Sequence, residues 1–127
     1  MEQPIYDSLK NDGKTRIIQE LVPGKQITLA HIIANPDSDL YYKLGLDPAG
    51  DYNTSAIGII TLSPAETAII AGDIATKASG AKLGFVDRFS GTLIVTGSVS
   101  EVNEAVYAVV NYVAEVLNFT VCPITKT

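Results

Sequence analysis

The chain has 127 residues, 46% of them apolar and 18% charged, with a formal charge of −5 and a pI near 4.6. That length suits one domain around a single core, and so high an apolar share beside so few charges points to surface buried against other copies. Lys and Arg form no basic stripe of the kind nucleic acid needs, the lone Cys122 excludes an internal disulfide, and no stretch approaches the roughly 18 apolar residues of a membrane span.

No apolar run follows a basic start, so the expected location is the cytosol. Residues 1–15 are polar, broken by Asn11-Asp12-Gly13, and read as a tail. In residues 16–22, Ile17, Gln19 and Leu21 alternate with Ile18, Glu20 and Val22. Both faces are partly apolar, which suits a strand buried on two sides. Pro23-Gly24 is a turn signal. A second strand spans 26–33 and closes at Asn35-Pro36. A short helix covers 37–44, with Asp37 or Ser38 as N-cap and Gly45 as its stop. Residues 47–55 carry Pro, Gly, Asn and Asp and read as an exposed linker.

AIGIITL, 56–62, reads as a buried strand. Ser63-Pro64-Ala65-Glu66 predicts a helix start, with Ser63 as N-cap, Pro64 in the first position and Glu66 completing a capping box. That helix is rich in small residues (Ala65, Ala68, Ala71, Gly72, Ala75), permitting close approach, and ends near Ser79-Gly80. Strands at 82–89 and 92–97 flank a Ser90-Gly91 turn. A last helix, expected to start after Ser100, places Val102, Ala105, Val106, Val109, Val110, Val113, Val116 and Leu117 at three- and four-residue spacing. FTVCPIT follows as a strand-like tail. The pattern is α+β, helices on a mainly antiparallel sheet.

Catalytic chemistry finds little support. His31 is the sole histidine, so one chain cannot assemble a His-based metal cluster or triad. A packed or hydrogen-bonded histidine is the better reading. Gly13-Lys14-Thr15 ends like a phosphate-binding loop, but position 8 is Ser and no strand precedes it. Asp73 and Lys77, four apart on a helix, read as a surface ion pair of a few tenths of a kcal/mol. Either of Asp87 and Arg88 could line a pore or bind an anion, but a solvated turn pair is the better reading, and Cys122, without a His or basic residue close in sequence, reads as an inert buried thiol. No catalytic, cofactor or metal site is therefore assigned.

Several separated motifs nevertheless resemble one family. Ala56-Ile57-Gly58, Lys77-Ala78 and Gly84-Phe85, within the stretch 56–99, are similar to the opening strand, helix and hairpin of the bacterial microcompartment shell domain. HIIANPDSDLYYKL resembles that domain's final strand and helix, yet precedes them here. RIIQELVPGKQ, DRFSG and CPITKT are similar to its circularly permuted subgroup, of the propanediol, ethanolamine or choline type. The match covers residues 16–127, with 25–127 as the permuted shell domain and 16–24 as an added strand and turn.

The resemblance implies a non-catalytic homohexameric tile that packs with other shell proteins around encapsulated enzymes in the cytoplasm, without nucleic acid, membrane or cofactor. It implies that Lys77 joins neighbouring tiles at the hexamer edge. The family's arginine partner there is matched by Asn35, implying a weaker edge contact. Asp87, Arg88, Phe89, Ser90 and Gly91 stand at the axial loop, where ordinary tiles carry a Gly-Ser-Gly pore. The subgroup further implies that six copies of strand 16–22 close into a parallel barrel over the axis. Closure removes the open edges a lone strand would present. Inward Glu20 would crowd six carboxylates together, so Ile17, Gln19 and Leu21 are assigned inward and Ile18, Glu20 and Val22 outward. Two rival readings remain from the residues alone: an oligomeric small-molecule-sensing α+β regulatory domain, and an enzyme with a site shared between subunits.

Overall fold

The computed structural model describes residues 24–46 and 55–127. The tail, the barrel strand 16–22 with its face assignment, and most of the 47–55 linker lie outside the described residues. Eight elements follow in order: β1 (Gln26–Ile33), α1 (Ser38–Lys43), β2 (Ala56–Ser63), α2 (Thr67–Ala78), β3 (Lys82–Asp87), β4 (Thr92–Gly97), α3 (Val99–Glu115) and β5 (Thr125–Lys126). The strands form one sheet in the order β3-β4-β2-β1-β5. Every pairing is antiparallel except β1 with β5, which is parallel. The α+β class with a mainly antiparallel sheet is what the sequence pattern predicts.

Alternation along the strands selects the buried face. Ile27, Ala30 and Ile32 of β1, Ala56, Ile60 and Leu62 of β2, and Leu93 and Val95 of β4 join one core cluster with Ala68, Ala71 and Ala75 of α2 and Val102, Val106, Val109 and Val113 of α3. The small residues of α2 let it lie close on the sheet, with Gly72 over Leu83, Leu93 and Val86. Gly58 is the tightest point. A Cβ there would sit 2.8 Å from Val106 Cγ2, 2.9 Å from Val95 Cγ2 and 3.0 Å from Val102 Cγ1. On the opposite face Leu46 reaches Gly84 beside Thr96 and Ile94, and Tyr41 and Ile57 are buried outside the main cluster.

Three local expectations need correction. Ser63 does not cap α2, because it continues the ladder as the partner of Gln26. Residues 64–69 are instead wound by short bonds, Thr67 N–H to Pro64, Ala68 N–H to Ala65 and Ile69 N–H to Glu66, so α2 starts at Thr67 without a side-chain cap. The long helix starts before Ser100, not after it. Ser98 is its N-cap, in a capping box with Glu101: the Glu101 N–H donates to Ser98 Oγ at 3.2 Å and the Ser98 N–H donates to Glu101 Oε1 at 2.9 Å. Strand β3 stops at Asp87 rather than 89, since Gly91 N–H bonds back to the Asp87 carbonyl and pulls Arg88 and Phe89 into the turn. The short helix is as expected, with Asp37 Oδ1 accepting from the Asp39 N–H at 2.8 Å and Gly45 following at φ +66°.

Candidate assembly surfaces

Among the described residues β3 is the outermost strand of the sheet, paired with β4 alone. It carries Leu83, Phe85 and Val86, all substantially exposed. A bulge between Leu83 and Phe85 distributes them over both faces, with Leu83 and Val86 near α2 and Phe85 opposite Ile94. An edge strand with apolar side chains on both faces is an aggregation hazard unless something covers it. Sequence reasoning assigns no site to these residues, although the run LGFV beside a hairpin turn is an available signal.

The hairpin tip continues this apolar edge. Phe89 is 82% exposed, and the Arg88 guanidinium lies 4.9 Å from its ring centroid. Asp87 organises the turn: its Oδ1 accepts from the Phe89 N–H at 2.8 Å and its Oδ2 from the Ser90 hydroxyl at 2.9 Å. The Phe89 amide first, then the Ser90 hydroxyl, hold the Asp87 carboxyl below the usual carboxylate range. Gly91, at φ +78°, accepts from the Leu62 N–H, and a Cβ there would strike the Leu62 carbonyl oxygen. Asp87 to Gly91 thus form one ordered tip that presents an aromatic ring and a cation outward.

Lys77 sits exposed in the last turn of α2, its Nζ 2.9 Å from Asp73 Oδ2, which is the ion pair expected from the spacing. The pair borders a shallow groove lined by Ile70, Ile74 and Tyr112. Asn35 is exposed on the turn between β1 and α1. His31 is hydrogen-bonded as expected, Nδ1 to Thr125 Oγ1 at 2.6 Å and Nε2 to Thr127 Oγ1 at 2.9 Å. Cys122 is partly buried against the core. Among the described residues no three His, Cys, Asp or Glu side chains gather closely enough to hold a metal ion, and no helix is long and apolar enough to cross a membrane.

Residues 56–125 match the model of the BMC domain. The bacterial microcompartment shell protein EutS of Salmonella typhimurium (strain LT2) is 54% identical over 115 residues, 91% of this chain and 99% of EutS. A solved flat hexamer of CutR superposes with a TM-score of 0.76 at 45% identity, over 89% of this chain and 100% of that one. CutR has also been solved as a dimer with domain swap, with a TM-score of 0.59 at 42% identity over 82% of this chain and 100% of that one. A fused permuted hexameric shell protein from the RMM microcompartment shares the fold, with a TM-score of 0.58 at 21% identity over 65% of this chain and 45% of that one. The strand β1 and helix α1 lie ahead of the matched segment, in the order that the sequence marks as permuted, and the chain belongs to the BMC domain family as a permuted shell protein.

Proposed function

We propose that this chain is a structural tile of a bacterial microcompartment shell: a homohexamer that packs edge to edge and performs no catalysis. The carrying observation is the apolar edge that the described residues leave exposed, Leu83, Phe85 and Val86 on β3 with Phe89 at its tip, in a chain whose relatives are shell proteins. A head-to-tail contact repeated around an axis would cover that edge in every copy, leaving none free.

In this reading the tip Asp87–Gly91 lies near the six-fold axis and strand 16–22 forms a barrel above it, with Ile17, Gln19 and Leu21 inward. Lys77 and Asn35 lie at the tile perimeter. The ion pair of Lys77 with Asp73 supports the perimeter role, because an exposed intrahelical pair exchanges partners at little cost. Two variants test the arrangement by native mass spectrometry. Phe85→Asp should break the ring into smaller species whose circular dichroism is unchanged. Deleting residues 1–22 should leave the ring intact. A Phe85→Asp ring that stays whole refutes the β3 contact, and a ring lost on deletion refutes the barrel as a separate cap.

A further inference from the structure

We propose that residues 118–127 form an exchangeable strand, and that the outer edge of β1 accepts this segment from its own chain or from a second copy, with His31 holding Thr125 and Thr127 in either case. The proposal rests on the fold of the single chain and stands whether or not the ring forms.

Beyond α3 the chain returns along β1. The Thr120 N–H donates to the Lys25 carbonyl at 3.0 Å and the Ile27 N–H to the Thr120 carbonyl at 2.9 Å. Further on, β5 pairs in parallel with His31 and Ile32, the Thr127 N–H donates to the Ile32 carbonyl, and the Ala34 N–H donates to the Thr127 carbonyl. His31 closes the seam. A neutral imidazole offers one donor and one acceptor, and two threonine hydroxyls satisfy either tautomer. Lys126 Nζ stands 5.8 Å from the Tyr107 ring centroid, and Phe119, Cys122 and Ile124 pack partly against the core.

Past Phe119, whose N–H bonds to Val113 in the last turn of α3, the backbone partners of the segment are residues 25–34, far away in sequence. A second copy can therefore supply the same strand and form the same bonds. Such an exchange needs no new contact, only a different path at the hinge. The hinge is visible: Asn118 alone among the described non-glycine residues has a positive φ, +62°. That left-handed turn folds the chain back onto its own β1, and an extended Asn118 directs the segment away from it. Asparagine tolerates the left-handed region, whereas a β-branched residue there is strongly disfavoured. The domain-swapped CutR dimer, 42% identical, is a second observation pointing the same way, since a related chain has an element that changes owner.

The test places thiols across the seam. In a Cys122→Ala background, His31→Cys and Thr125→Cys occupy paired positions of β1 and β5. Refolded at a series of concentrations and oxidised, a chain keeping its own segment forms an intrachain disulfide, and an exchanged pair forms an interchain one. A non-reducing denaturing gel separates the two. The interchain share should rise with concentration, rise about tenfold with Asn118→Val and fall with Asn118→Gly. Because His31→Cys removes the clamp itself, Tyr107→Cys with Lys126→Cys, joined by a short bismaleimide, repeats the measurement with His31 in place and should respond to the hinge variants in the same way. Intrachain product alone at every concentration, in either pair, overturns the proposal. An interchain share indifferent to residue 118 also overturns it.

Discussion

Gly58→Ala isolates the packing that lets α3 lie on the sheet. The added methyl would meet Val106, Val95 and Val102 at 2.8, 2.9 and 3.0 Å, about an ångström inside ordinary contact. All three valines are buried, and a β-branched side chain has little rotamer freedom with which to yield. Overpacking of this kind costs about 1–3 kcal/mol. Val106→Ala alone removes two buried methyl groups and should cost about 1.5–3 kcal/mol. In the double variant the methyl added at position 58 would occupy part of the space that Val106 Cγ2 vacates. The double variant should therefore be less destabilised than the sum of the singles by about 1 kcal/mol, above the usual additivity error. Urea unfolding followed by circular dichroism, at one fixed protein concentration, reads all four proteins. A neutral Gly58→Ala, or strict additivity of the pair, would refute the packing argument.

Ser98→Ala should lower stability by about 1 kcal/mol, whereas Ser100→Ala should fall within about 0.5 kcal/mol of the parent, measured in the same urea assay. Asp87 binds its proton less readily in the folded turn than in the unfolded chain, so its contribution is fully present above about pH 4 and is lost as pH falls through the depressed folded value. Asp87→Asn should accordingly flatten the acid limb of the stability profile and leave the limb above pH 7 unchanged in shape. Lys77→Ala should change stability by no more than about 0.5 kcal/mol, as an exposed pair predicts, yet reduce the extended sheets seen by electron microscopy. Normal sheets from that variant would remove Lys77 from the tile edge.

Element order, the amphipathic α3 and the hairpin are legible in the sequence because burial periodicity and turn residues report local geometry directly. The Ala56-Ile57-Gly58 signature is also legible as a resemblance, but its reason is tertiary: only a residue without a Cβ fits beneath Val102 and Val106. Helix starts are less legible. Ser63-x-x-Glu66 has the form of a capping box, and pairing with Gln26 overrides it. Ser98-x-x-Glu101 has the same form, and there the capping box is complete, so the helix begins ahead of the later serine. The strand-like tail makes a regular strand only over Thr125–Lys126, with an isolated bridge at Thr120 before it, since Pro123 between them offers no N–H to a ladder. The apolar edge of β3 is hidden for a different reason. In sequence, Leu83, Phe85 and Val86 look like core, and only the strand order reveals that nothing in the described chain lies beyond them.

In the proposed assembly the chain is complete only as a ring that buries the β3 edge. Native mass spectrometry of the purified protein at micromolar concentration tests it most directly. One dominant species of about six times the 13.5 kDa chain mass is expected. A stable, monodisperse monomer under the same conditions would contradict it.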